Sequence, residues 1–302
     1  MPPDRTREIA ESLRYTDVIA GCFVGGPEPV LSAITDFSCW VFVWDDQHDR
    51  DITRRRERDW ARRSDTLRAT LEAPESYLAH PDPLVAGFAD SVGRFYPYLG
   101  DGWNARFAGH FHGVIDAYAR EFRNRVTGTV PSLAEYLELR RHTFAHWVWL
   151  DLLELTAQHE LPPEVRDSDA YHRAGLASQD FSAWYNDLWS LPKELAAGDV
   201  HNIGISLMHH RGLTRRQAST ETLRMVRGRV TDFNEAERDV AALVTGAAPE
   251  PRAAVHSCLF NMRNWISSVY WYHHESGRYR IEEWDDPTRP PYLNDLAVRH
   301  ES

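Results

Sequence analysis

Val30-Leu31-Ser-Ala-Ile34-Thr-Asp-Phe37-Ser-Cys-Trp40-Val41-Phe42-Val43-Trp44-Asp45-Asp46-Gln47-His48-Asp49 is the stretch on which the reading of the whole chain turns. Val30, Leu31, Ile34, Phe37, Val41 and Phe42 recur at i, i+3/i+4, the spacing of one buried helical face. Residues 41–44 taken alone have the β-branched and aromatic content of a strand, but the longer helical period beginning at Pro27 governs them. Polarity then inverts at once: an apolar run ends in Asp45, Asp46 and Asp49. Carboxylates that follow directly on a core-forming run sit beside core.

The same period returns along the chain. Residues 129–154 open with Pro131-Ser-Leu-Ala-Glu135, where Ser132 and Glu135 have capping-box spacing, and read as one helix. Residues 168–194, 214–243 and 252–274 follow the same pattern, with Pro74, Pro81-Asp-Pro83, Gly100-Asp-Gly102, Pro162-Pro163, Gly198-Asp199 and Gly246 to Pro251 as breakers. The expectation is an all-α single domain spanning residues 1–302, roughly ten helices in one bundle, with an irregular tail after about residue 282.

Composition bounds what such a bundle does. With 34 basic and 45 acidic residues the net charge is −11, which disfavours non-specific binding to nucleic acid or to anionic membranes. The longest bulky apolar run, Cys39 to Trp44, is far short of a membrane span, and the polar start lacks the apolar core of a secretory signal. Three widely spaced cysteines imply no disulfide framework, and the expected location is cytoplasmic. The arginine-rich, mixed-sign segment from Arg50 to Asp65 reads as a solvated face. The unusual feature is the aromatic load of 11 Trp, 12 Tyr and 12 Phe.

Two constellations carry chemistry. At about 100° per residue, Asp45 and Asp49 lie only about 40° apart on one helix face. Carboxylates held together raise each other's pKa unless a cation joins them, and hard oxygen donors of this kind suit Mg²⁺, which prefers phosphate oxygens among its remaining ligands. The second constellation is Asn186-Asp-Leu-Trp-Ser190-Leu-Pro192-Lys193-Glu194. On an ideal helix Asn186, Ser190, Lys193 and Glu194 fall within about 100° of one another, so one face presents an amide, a hydroxyl, an ammonium and a carboxylate. Such a face can hold a second cation with Lys193 turned toward the same anion, and Pro192 is expected to weaken the helix between the ligands.

DDxxD followed by NDxxSxxKE resembles the class I terpene synthases, in particular the bacterial terpene cyclases. That resemblance implies an all-α barrel around an aromatic cavity, with two metal-binding helices at its mouth. It implies three Mg²⁺ ions that trigger loss of diphosphate from an isoprenyl diphosphate. By position, Asp45 is similar to the leading aspartate ligand, with Asp46 and Asp49 as ligand or supporting carboxylates. Asn186, Ser190 and Glu194 match the family's ligand triad, and Lys193 its diphosphate contact. The family's diphosphate sensor matches Arg140 or Arg141, after Tyr136, and its C-terminal Arg-Tyr pair matches Arg278 and Tyr279. At Thr143-Phe-Ala145-His the chain has no glycine where the family often breaks a helix with one.

The resemblance implies an Mg-dependent cyclase, with a homodimer as a possible assembly. The Trp and Phe load around residues 37–44, 181–189 and 260–271, which would subtract cavity volume, favours farnesyl diphosphate, with geranylgeranyl diphosphate second. Because they fall near the metal helices, Trp184 and Trp271 are expected to line the substrate cavity, together with others of Trp40, Phe42, Trp44, Trp147 and Trp265. A prenyl diphosphate-using transferase of the same fold would carry a second aspartate-rich motif where this chain has Asn186, Ser190 and Glu194. A helical metal phosphohydrolase built on His48 and Asp49 lacks further assignable ligands. The pairs His110/His112, His209/His210 and His273/His274 point different ways on a helix and read as structural.

Overall fold

The computed structural model describes residues 14–276, and no strand occurs among them. The N-terminal half runs α1 (Tyr15–Cys22), α2 (Glu28–Thr53), α3 (Glu57–Glu72), a 3-10 turn (Pro74–Tyr77), α4 (Pro83–Phe95) and α5 (Asp101–Thr127). It continues with α6 (Leu133–Thr143), α7 (His146–Ala157), the single turn α8 (Pro163–Arg166), α9 (Asp169–Ala197), α10 (Ile203–Arg211), α11 (Arg215–Leu243) and α12 (Pro249–Glu275). No helix among these residues is long and apolar enough to cross a membrane.

Local chemistry fixes the ends. Pro29 sits in the first turn of α2, where its missing N–H costs nothing. Ser132 and Glu135 form the capping box of α6, and Thr214 and Gln217 form another on α11. Asn202 caps α10 through its side-chain oxygen, which accepts from the Gly204 N–H at 2.7 Å. At the end of α9, Gly198 adopts φ 69°, the left-handed conformation that glycine enters without a Cβ penalty.

The apolar face of α2 packs into a column of rings. Phe37, Trp40 and Trp44 meet Phe88 and Phe95 of α4 and Phe107, Phe111 and Tyr118 of α5, all buried. Each fully buried ring contributes about 1.5–3 kcal/mol, so this column is a main anchor of α2. α9 lies along α11 and α12 on the other side. Trp40 and Trp44 therefore hold the wall of the barrel and do not line its interior.

Three local expectations change. α2 runs to Thr53, one turn beyond Asp49, because Asp51 turns inward to accept from Gln47 at 3.1 Å and from Arg63 at 2.9 Å. Arg63 also donates to Asp82 at 2.9 Å, so the 50–65 segment is not wholly a solvated face.

The third change is the largest. Residues 129–154 do not form one helix: α6 stops at Thr143, and α7 starts at His146 after a break at Phe144 and Ala145. Ala145 takes φ 57°, ψ 36°, a left-handed conformation that costs a residue with a Cβ about 1–2 kcal/mol. Local propensity favours a continuous helix at this alanine, so the break is imposed by packing.

Candidate active site

A single cavity is lined from α1, α2, α5, α6, α7, α9 and α12. Along α2 its lining passes from Ser38, Val41 and Phe42 to Asp45 and Asp49, one helical face that changes from apolar to acidic. Along α9 it passes from Ser182 through Asn186 and Ser190 to Lys193 and Glu194. The C-terminal ends of the two helices meet: Arg125 of α5 pairs with Asp49 and, at 3.3 Å, with Asp199 just past α9. Polar groups thus gather at one end, while Phe42, Phe144, Trp149 and Trp265 supply aromatic wall.

The acids are held by neighbours that sequence reading did not single out. Tyr118 donates from its hydroxyl to Asp45 at 2.9 Å. Burial alone would raise the Asp49 carboxyl, but the charges of Arg125 and Lys193 outweigh it and hold it below its ordinary value. Burial in the cavity wall, reinforced by Asp187 and Asp199, pushes Glu194 up to about 8. Burial likewise pushes Glu121 of α5 up to about 8, with Asp199 and Asp45 adding to it. Two carboxyls at this end therefore lack enough positive charge to ionise fully at neutral pH.

On α9, Asn186 accepts from Arg140 at 2.9 Å through Oδ1, and its Nδ2 lies 3.3 Å from His273 Nε2. His273 Nδ1 lies 2.7 Å from the Val269 carbonyl and must donate to it, which leaves Nε2 to accept from Asn186. Asp187 points away from the cavity. It accepts from the Tyr136 hydroxyl at 2.6 Å and the Ile203 N–H at 3.1 Å, and it pairs with Arg140 at 3.0 Å. Glu194 accepts from Asn202 at 2.7 Å. The Ser190 hydroxyl is buried and has no hydrogen-bond partner.

Among the residues anticipated from sequence, Asp45, Asp49, Arg140, Asn186, Ser190, Lys193 and Glu194 line this one cavity. Asp46 does not line it. Of the two arginines left as alternatives, Arg141 does not line the cavity: about 100° round α6 from Arg140, its guanidinium forms a bidentate pair with Asp180 at 2.9 and 2.8 Å. Trp184 and Trp271 are corrections. Trp184 is buried outside the cavity lining, with Arg229 5.2 Å above its ring. Trp271 lies on the outer side of α12 and is 61% exposed. Arg278 and Tyr279 lie outside the described residues.

Glu121, Arg125, Asp199 and His201 complete the site and escaped sequence reading. No local pattern marks them, since they matter only because α5 and the chain after α9 meet α2.

The donor set suits a hard divalent cation. Asp45 and Asp49 on one side, and an amide, an orphaned buried hydroxyl and a poorly ionised carboxylate on the other, are all oxygen donors. No group of three or more His, Cys, Asp or Glu side chains converges among the described residues. Neither half is a complete cage, so a cation held here would take its remaining ligands from water or from a bound anion.

An all-α barrel with split oxygen-donor sets at the mouth of an aromatic cavity is the architecture of the class I terpene synthases. Residues 36–232 match the family described as "Terpene synthase family 2, C-terminal metal binding", and the chain belongs to it. It is thus a terpene synthase, a lyase acting on prenyl diphosphates, and membership implies a divalent metal. The chain is 54% identical to the epi-isozizaene synthase of Streptomyces coelicolor over 99% of its own length and 84% of that protein's. It is 30% identical to a (+)-T-muurolol synthase ((2E,6E)-farnesyl diphosphate cyclizing) of Roseiflexus castenholzii, over 66% of this chain and 61% of that one. A crystal structure of the linalool/nerolidol synthase of Streptomyces clavuligerus with 2-fluorogeranyl diphosphate shares the fold, with a TM-score of 0.80 at 22% identity over 90% of this chain and 92% of that one.

Proposed function

We propose that this chain binds farnesyl diphosphate with Mg²⁺ and cyclises it to a sesquiterpene. The observation that carries this reading is the joining, in one cavity, of an oxygen-donor mouth with two cationic side chains to an aromatic wall. The (2E,6E)-farnesyl diphosphate in the name of the Roseiflexus relative supports the chain length. Asp45 and Asp49 would hold metal from α2, and Asn186, Ser190 and Glu194 would hold metal from α9, three ions in all. Bound Mg²⁺ supplies positive charge that stabilises the departing diphosphate.

The rest of the work falls to the chain. Arg140 reaches Asn186 from α6, so a diphosphate bound at the α9 ligands comes within reach of its guanidinium. Lys193 faces the same space. Their charges stabilise the leaving oxygens and lower the barrier to C–O cleavage. The hydrocarbon lies against Phe42, Phe144, Trp149 and Trp265. There, ring faces favour a carbocation by about 0.5–2 kcal/mol each and the packed wall keeps water away. Arg278 and Tyr279 would add their contacts from outside the described residues.

The test is an incubation with C15 and C20 diphosphates in Mg²⁺ or in EDTA, with volatiles analysed by gas chromatography–mass spectrometry. Cyclic C15 product formed only with Mg²⁺ is expected. Predominantly C20 product at equal substrate concentrations overturns the chain length, and undiminished product from Glu194→Gln overturns the ligand assignment.

A further inference from the structure

The break between α6 and α7 turns a cavity residue inward, and the question is what holds it. Phe144 lies in the break and lines the cavity, with the Arg140 guanidinium 5.4 Å from its ring centre. Its carbonyl accepts from the Trp149 indole at 2.7 Å, which ties it to a second cavity residue. Backbone propensity does not supply this geometry, since the left-handed position is occupied by Ala145, and that indole bond is a tie within the segment itself.

The restraint comes from α9. Asp180 is fully buried, and its two oxygens reach both flanks of the break. Arg141, three residues before Phe144, donates from Nε to Oδ1 at 2.9 Å and from Nη2 to Oδ2 at 2.8 Å. His146, the first residue of α7, lies with Nε2 3.2 Å from Oδ1. A carboxylate only accepts, so His146 donates here from Nε2. Arg229 of α11 stands 3.7 Å from Oδ2 on the far side. One carboxylate thus grips the last turn of α6 and the first residue of α7, and the two residues between them are left no straight path.

We propose that Asp180 is a positioning residue for the cyclisation: by clamping Arg141 and His146 it fixes the break, and through the break it fixes where Phe144 faces the carbocation. This rests on the cyclase reading above. Asp180 touches neither the cavity nor the diphosphate ligands, so its first effect is on which products form, and ionisation changes only as far as Arg140, one residue from Arg141, shifts with the turn. Without the clamp, the segment relaxes toward the continuous helix that its sequence favours. The Phe144 ring then rotates out of register with the cation, which is quenched earlier along its path.

The test compares the parent, Asp180→Asn, Phe144→Leu and the double variant, measuring diphosphate release and the product mixture separately. Asp180→Asn is expected to keep diphosphate release within about threefold of the parent while the main product gives way to earlier-quenched ones. The double variant is expected to give the mixture of Phe144→Leu alone, because Asp180 acts only through that ring. An unchanged mixture from Asp180→Asn, or a change that adds to that of Phe144→Leu, overturns the proposal. If Asp180→Asn does not fold, Arg141→Gln carries the same test, since its side chain is 32% exposed and its loss leaves Asp180 with His146 and Arg229. A parent that releases no diphosphate from any prenyl diphosphate overturns the cyclase reading itself. A parent that cyclises normally, with Asp180→Asn and Arg141→Gln giving its mixture, overturns the positioning role alone.

Discussion

Arg125 of α5 closes an ion pair with Asp49 at the end of α2, so the acidic mouth carries a resident cation of the protein's own. Burial opposes the charge on Arg125, but Asp49, Asp199 and Glu121 together hold it firmly protonated. Arg125→Gln takes from Asp49, Asp199 and Glu121 the cation they share. The expected loss is about 1–2 kcal/mol of folding stability in metal-free buffer, below the usual cost of breaking a buried pair because the Asp49 side chain is 44% exposed. Mg²⁺ is expected to restore part of that loss and to bind the variant more tightly by calorimetry. Equal melting temperatures for parent and variant in EDTA would count against this account.

Ser190 separates ligand function from stability. Its buried hydroxyl has no partner, so replacing it with a methyl group removes a desolvation cost and breaks no hydrogen bond. Ser190→Ala is expected to melt at or above the parent temperature while kcat/KM falls by about 10–100-fold, the usual cost of disturbing a metal site. A variant with full turnover at limiting Mg²⁺ would remove Ser190 from the ligand set.

The two tryptophans of α12 are expected to behave oppositely. Trp265 lines the cavity and Trp271 faces outward. Trp265→Phe, which keeps a ring in place, should redistribute the products, and Trp271→Ala should leave them as they are. A product change from Trp271→Ala alone would reverse the assignment of faces.

His201 gives a pH signature. Burial, with Arg125 and Arg140 adding to it, holds this imidazole down at about 3 against an unfolded value near 6.5. Between those values the unfolded chain binds the proton and the folded one does not. The stability His201 contributes is therefore present above pH 6.5 or so and is lost as pH falls toward 3. His201→Gln should flatten the acid limb by up to about 1.4 kcal/mol per pH unit. Parallel acid limbs, from urea melts at several pH values in EDTA, would contradict it.

What the sequence made legible follows from where each signal is stored. The faces of α2 and α9 are periodic and local, so Asp45 and Asp49 could be placed on one side and Asn186, Ser190, Lys193 and Glu194 on another before any fold was known. Arg140 against Arg141 was not decidable in the same way: adjacent residues differ by about 100° of helix, and which one meets Asn186 depends on how α6 lies against α9. Arg125 and Glu121 belong to a helix with no motif. Trp271 was misplaced because an aromatic-rich helix does not announce which ring faces in.

The left-handed alanine also has a consequence for the order in which the molecule comes together. Residues 133–157 leave the ribosome with a strong preference for one straight helix, and the carboxylate that bends them lies at position 180, in a helix made later. Until α9 docks, the Trp149–Phe144 contact is left to hold the bend without the Asp180 clamp. The cavity wall at Phe144 is thus completed only when α9 arrives, and α9 also brings Asn186, Ser190, Lys193 and Glu194, so the aromatic wall and the polar mouth are assembled in the same late step of folding.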